Sequence, residues 1–258
     1  MKCIHELWFG ALCLSLHKIK IMHDQFRAIL DHRRSIRNYL PQQVPDEVIK
    51  RCIESATLAP SSSNLQLWEY YHVKSKDKKA ALVKACMSQP AAKTAPNLIV
   101  VVTRHDYWKR RCDANLDFAK KVAWDEPEDK PIRASTYFTK TIPALYFDFF
   151  GVFGWLKMIF SFFRGLRRPM FREVRASQVL TMSHKSVGLG AQTLMYALAA
   201  EGYDSCPMEG IDSWRIQKIL DLPKGAKINM VISCGKRAEG GVYGPRFRLP
   251  VEEVFFEV

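Results

Sequence analysis

Apolar positions along the chain switch between two periods, and the switches mark out the elements. Val48, Ile49, Cys52, Ile53 and Ala56 recur at helical spacing, which predicts a helix over 46–58 with one buried face. Pro45 precedes Asp46 and Glu47, whose carboxylates suit the positive end of a helix dipole, and Pro60 closes the element. Leu67 to Val73 alternates and is rich in aromatics, so it reads as a strand. Leu98 to Val102 is apolar at every position, the pattern of a central strand covered on both faces. Residues 77–87 and 105–124 read as helices, with an acidic loop at 125–131. A long helix over about 174–201 stops at Gly202, and its Gly188, Gly190 and Ala191 allow another backbone to come close. A short helix at 212–220 and a strand at 228–233 complete the pattern. With no internal repeat, low-complexity tract or linker, residues 22–258 are expected to form one α+β domain.

Charge adds a second layer. The 258 residues carry 39 Lys+Arg against 26 Asp+Glu, a net +13 that draws anions of any kind: nucleic acid, lipid headgroups or phosphorylated cofactors. No nucleic-acid recognition motif accompanies it, so nucleic acid is not an expected partner. The seven cysteines are scattered, with no C-x-x-C pair, and are expected to be free buried thiols in a reducing cytoplasm. Within residues 1–21, Leu7 to Leu16 is apolar behind Lys2, but no small-x-small cleavage site follows. An added helix and an upstream-start artefact are both open readings of this extension. Met22 begins a more ordinary segment, which leads into a short amphipathic helical turn.

Four clusters carry candidate chemistry, and each also has an ordinary structural reading. In Arg33-Arg34-Ser35-Ile36-Arg37, an extended chain would set Arg33, Ser35 and Arg37 on one face, with forked donors suited to phosphate. A solvated basic strand has the same pattern. Pro60-Ser61-Ser62-Ser63-Asn64-Leu65-Gln66 is a donor-rich loop, or simply a helix stop. In Cys206-Pro207-Met208-Glu209-Gly210, a fixed proline and a permissive glycine can aim a backbone N–H at a flat ligand, or make a turn between helices. Arg246-Phe247-Arg248-Leu249-Pro250 sets two arginines on one face of an extended segment, or of a basic edge strand.

Taken in order, these motifs resemble the FMN-dependent nitroreductase family: R-R-S-x-R, then A-P-S-S-x-N-x-Q-x-W from Ala59 to Trp68, P-x-E-G-x-D from Pro207 to Asp212, and R-x-R-x-P from Arg246 to Pro250. The resemblance covers about residues 24–258. It implies a mostly antiparallel central sheet flanked by helices, in a homodimer whose two FMN sites are each built from both chains, with the C-terminal extension packed on the partner. By the same resemblance Arg33, Ser35, Arg246 and Arg248 surround the FMN phosphate, Arg34 is a further cofactor-binding position, and Arg37 lies near the pyrimidine edge. Pro60, Ser61, Ser62, Ser63, Asn64 and Gln66 come from the partner's loop. Pro207, Met208, Glu209 and Gly210 bring a backbone N–H to flavin N5, and Gln89 matches a ring-binding polar position, although its Ser88-Gln89-Pro90 setting departs from the commoner patterns.

The implied activity is ping-pong: NADH or NADPH delivers a hydride to flavin N5, and a nitroaromatic, quinone or similar small acceptor then takes the electrons. No side-chain nucleophile or metal is needed. Two alternatives share these motifs: a flavin-sequestering protein without efficient turnover, and a reductive dehalogenase or ene-type reductase on the same scaffold. The stretch 142–175 is this chain's individual feature, strongly apolar to Leu166 and then basic through Arg167, Arg168, Arg172 and Arg175. It is too interrupted to cross a bilayer. A lid shaping the substrate pocket, with the arginines near a nicotinamide nucleotide, is the preferred reading. Dimer-interface packing stands close behind it, and an amphipathic contact with a membrane surface is a third, less favoured one.

Overall fold

The computed structural model describes residues 19–122, 135–148 and 151–258; the acidic loop at 125–131, Cys3 and Cys13 lie outside them. Helix α1 (residues 19–32) leads into the basic stretch, then α2 (Asp46–Ala56), β1 (Trp68–His72), α3 (Lys76–Ala85) and α4 (Pro90–Thr94). After β2 (Asn97–Thr103) come α5 (Trp108–Val122), a π-helical turn Tyr137–Thr141 running into α6 (Ile142–Tyr146), and α7 (Val152–Gly165). The long α8 (Ala176–Ala200), β3 (Asp204–Met208), α9 (Ser213–Ile219) and β4 (Lys227–Gly235) follow.

The strands form an antiparallel sheet in the order β1-β2-β4-β3. All seven residues of β2 are buried, as its unbroken apolar run requires. Its side chains alternate between two cores. Leu98, Val100 and Val102 meet Leu82, Cys206 and Ile216, while Ile99 and Val101 meet Ile49, Cys52, Leu194 and Leu198 from α2 and α8. Gly190 is the close-approach residue on α8: a Cβ there would overlap Tyr70 Oη, whereas Gly188 faces open space. Cys52, Cys86, Cys112, Cys206 and Cys234 are free and buried, as expected.

One element differs from the sequence reading. Cys206–Gly210, for which a ligand-facing backbone and a turn between helices were both open, is strand β3 as far as Met208. Pro207 is tolerated because β3 is an edge strand, where a missing N–H breaks no ladder. Among the described residues, no helix is long and apolar enough to cross a membrane.

Candidate active site

The basic stretch runs along the β3 edge. Ser35 bridges Ser205 in parallel, Ile36 N donates to Ser205 O at 3.2 Å, and Arg37 N donates to Gly241 O at 2.9 Å. Ile36 and Tyr39 are thereby buried, and Tyr39 Oη lies 3.0 Å from Ser233 Oγ. Arg33, Ser35 and Arg37 are half-buried and near enough to Cys206 to act on its thiol, Ile36 is fully buried, and Arg34 Nη2 turns to Gly244 O at 2.8 Å. Burial pushes the Cys206 thiol up, which keeps it protonated, and the two arginines and the Ser35 hydroxyl pull the other way.

Arg246 and Arg248 join this group from the C-terminal segment. Arg246 Nη2 donates to the carbonyls of Leu30, Asp31 and Arg33 at 3.1, 2.9 and 3.0 Å, which fastens that segment to the end of α1. Burial lowers Arg33; a partly offsetting effect of Tyr196 and the charges of Arg246 and Arg248 come next. Among the described residues, Arg33, Arg34, Arg37 and Arg248 form no ion pair with a carboxylate. Arg246 also meets Asp31 at 3.4 Å, and the group keeps a net positive charge, half-buried at Arg33 and exposed at Arg248, that suits a phosphate.

Gln89 enters from the other side. Met87 and Ser88 both take left-handed backbone (φ 55° and 52°), and the turn presents Gln89 Nε2 to Gly210 O at 2.8 Å. Asp212 N donates to Ala85 O at 2.7 Å, which pins the segment after β3 against α3. Glu209 and Gly210 are exposed while Met208 is buried. Gly210 has no positive φ, and a Cβ there would meet only Gln89 Nε2, at 3.6 Å. Nothing inside the chain therefore calls for glycine at this position, which fits a flat group lying against the backbone from outside.

The loop 60–66 is not part of this cluster. It is a tight turn with left-handed Ser63, Asn64 and Gln66, held by side chains from elsewhere. Ser62 N donates to Ser186 Oγ at 3.0 Å, Ser63 Oγ meets Tyr137 Oη at 2.7 Å, and Asn64 Nδ2 donates to Asn115 Oδ1 at 2.8 Å. Trp68, just after the loop, pairs with Thr103 at one end of β2, whereas Ser205 lies level with Asn97 at the other end. Six residues along a strand and three strand spacings separate them, on the order of 25 Å corner to corner. The long helix is an independent ruler: Ser186 touches the loop and Tyr196 stands near Arg33, ten residues or roughly 15 Å apart. The two groups do not meet within one protomer.

The model for the Nitroreductase family matches residues 30–236. The chain belongs to the nitroreductase family. Among relatives of this nitroreductase, the NADH dehydrogenase of Thermus thermophilus is 28% identical over 222 residues, covering 86% of this chain and 90% of that protein. The 4-nitrobenzoate reductase of Pseudomonas putida is 27% identical over 236 residues, covering 90% and 93%. A solved structure from Exiguobacterium sibiricum, in complex with FMN, superposes with a TM-score of 0.67 at 25% identity, covering 90% of this chain and 97% of that one. This nitroreductase is an oxidoreductase on the expected α+β fold.

Several supporting residues were not read from the sequence. Asp204, 3% exposed, holds Arg237 in a fork, and Arg237 Nη2 also donates to His32 O at 3.0 Å, bracing the residue next to Arg33. Tyr243 lies under Arg37 at 5.0 Å. Gly241 accepts from Arg37 N, and a Cβ there would come 2.7 Å from Asn38 O. A charge at the head of a strand and the Gly240-Gly241 pair were the available signals.

Proposed function

We propose that this nitroreductase is a homodimeric, cytoplasmic flavoenzyme that takes electrons from NADH or NADPH and passes them to a small organic acceptor such as a nitroaromatic or quinone. The observation that carries this reading is the split site: a phosphate-ready arginine cluster and a donor-rich loop at opposite corners of one sheet, each incomplete alone. A two-fold partner brings the loop of one chain to the arginines of the other. The C-terminal segment supports it too, since Phe247, Val254, Phe255 and Phe256 are 61–75% exposed in the single chain and suit a partner's surface.

Residue roles follow from placement. Arg33, Ser35, Arg246 and Arg248 hold the phosphate, and Arg34 fastens the C-terminal segment over it. Gln89 and the backbone of Pro207 to Gly210 line the ring, with Gly210 leaving room for close approach. Arg37, held by Tyr243, sets a permanent cation where added electrons raise negative charge. Ser61, Ser62, Ser63, Asn64, Pro60 and Gln66 supply the partner's donors. When bound, FMN supplies the two-electron chemistry, and the chain's task is to position and charge-balance it.

The test is direct. The purified chain should absorb as oxidised flavin, release FMN rather than FAD, and bleach anaerobically with NADH or NADPH. Bound flavin that neither nucleotide bleaches would instead make it a flavin-sequestering protein. A colourless preparation that takes up no added FMN would remove the reading altogether.

A further inference from the structure

Helix α7 is built inside out. Its buried residues are Gly154 and Ser161, and its one lysine turns inward. Lys157 Nζ donates to the carbonyls of Ala144, Leu145 and Phe147 at 3.3, 2.9 and 2.8 Å, capping the end of α6. Gly154 N donates to Asp148 Oδ1 at 3.0 Å, and a Cβ on Gly154 would lie 3.5 Å from Arg175 Cα, so the glycine seats the helix on the start of α8. Polar anchoring thus uses up the inner face. The outer face holds Trp155, Leu156, Ile159, Phe160, Phe162 and Phe163, all 49–64% exposed. At 100° per residue they belong to an apolar arc about half the circumference wide, pointing away from the protein.

The same face runs into positive charge. Between residues 149 and 175 the only acid is Glu173, against Lys157 and five arginines. A surface groove of about 640 Å³ lies at the junction, lined by Phe160, Phe163, Leu166, Arg164, Arg167 and Arg168. Arg175 lies 4.8 Å over the Trp155 ring. Among the described residues, none of Arg164, Arg167 and Arg168 pairs with a carboxylate. Fourteen residues make a helix roughly 21 Å long, too short to span a bilayer but suited to lying in its surface.

We propose that α7 and the arginines after it dock this protein on an anionic phospholipid surface, with the aromatics at the acyl boundary and the guanidiniums on headgroup phosphates. Charge decides between lipid and a second copy set face to face. A copy set on this face brings a second net positive segment and no surplus of acid, whereas an anionic leaflet supplies counter-charge to the exposed arginines.

Flotation of the full-length, FMN-loaded protein tests this, using vesicles of phosphatidylcholine alone and of phosphatidylcholine with an equal part of phosphatidylglycerol. The protein should float with the mixed vesicles, not with phosphatidylcholine alone, and concentrated salt should release it. Arg164→Glu/Arg167→Glu/Arg168→Glu should weaken partitioning about a hundredfold or more. Trp155→Ser/Phe160→Ser should weaken it at least about tenfold. Both variants should keep the parent's mass by light scattering and its thermal midpoint. No flotation with either vesicle would overturn the proposal. So would variants that change oligomeric mass while partitioning like the parent, since the face would then be a protein contact.

Discussion

The two edges of the sheet carry the two halves of the candidate site, and they are held by different means. At the β3 edge, backbone pairing to Ser205 and Gly241 and a forked Asp204–Arg237 pair fix residues 32–39, and Arg33, Arg37 and Arg248 have no carboxylate partner among the described residues. At the β1 edge, Arg104 is itself neutralised by both Glu69 and Asp106, and the loop before the strand is held by short polar side chains. The difference shows what arginine does in this molecule. Arg104 and Arg237, paired with carboxylates, hold the fold, whereas Arg33, Arg37 and Arg248, which have no carboxylate partner among the described residues, are available to a ligand.

The largest expected effect comes from breaking the brace. Arg237→Ala leaves the buried Asp204 carboxylate without its main partner, which should cost about 3 kcal/mol of stability and weaken FMN binding as well. Arg104→Ala should cost a similar amount with little change in FMN affinity for the protein that remains folded. Urea unfolding and flavin titration separate the two. Next come the unpaired arginines: Arg33→Ala or Arg248→Ala should weaken FMN binding about 10- to 100-fold, each removing charged hydrogen bonds worth about 1.5–3 kcal/mol. The apoprotein should be no less stable, because each change relieves like-charge crowding at Arg33.

Gly241→Ala sharpens the contrast further. Its Cβ would push on Asn38 O, so a loss of about 1–3 kcal/mol is expected together with weaker FMN binding, since the strand bearing Arg37 must shift. Acid sets a smaller, diffuse effect. Burial lowers His72, His105 and His184, so unfolded chains take up protons at these positions before the folded protein does. Stability should be full above about pH 6.5 and fall as acidity increases below it. Urea midpoints measured at neutral and mildly acidic pH check the sign. Asn115→Ala should give the smallest change, about 1 kcal/mol, confined to the loop at the β1 edge.

Much of this was legible in the residues. The unbroken apolar run of β2 and the spaced apolar positions of α2 can be satisfied only by burial on both faces or on one, so pattern and fold agree. The burial of Ile36 between half-buried Ser35 and Arg37 likewise follows the alternation read from the sequence. Strand β3 was not legible, because Asp204, Ser205 and Pro207 disguise it and only its edge position makes them tolerable. The separation of the two site halves was implied by the family resemblance alone, because it depends on strand order, which periodicity does not encode. Helix α7 marks another limit, since an apolar run calls for a covering surface but does not say which one provides it.

A mixed-dimer experiment goes to the centre of the account. One chain carries Arg33→Ala and Arg248→Ala, and the other carries Ser63→Asp and Asn64→Asp, which set negative charge where a phosphate belongs. Each variant alone should purify nearly free of FMN. If every site joins the arginines of one chain to the loop of the other, the mixed dimer has one intact site and should bind one FMN. A mixed dimer as empty as its parents would contradict the split site.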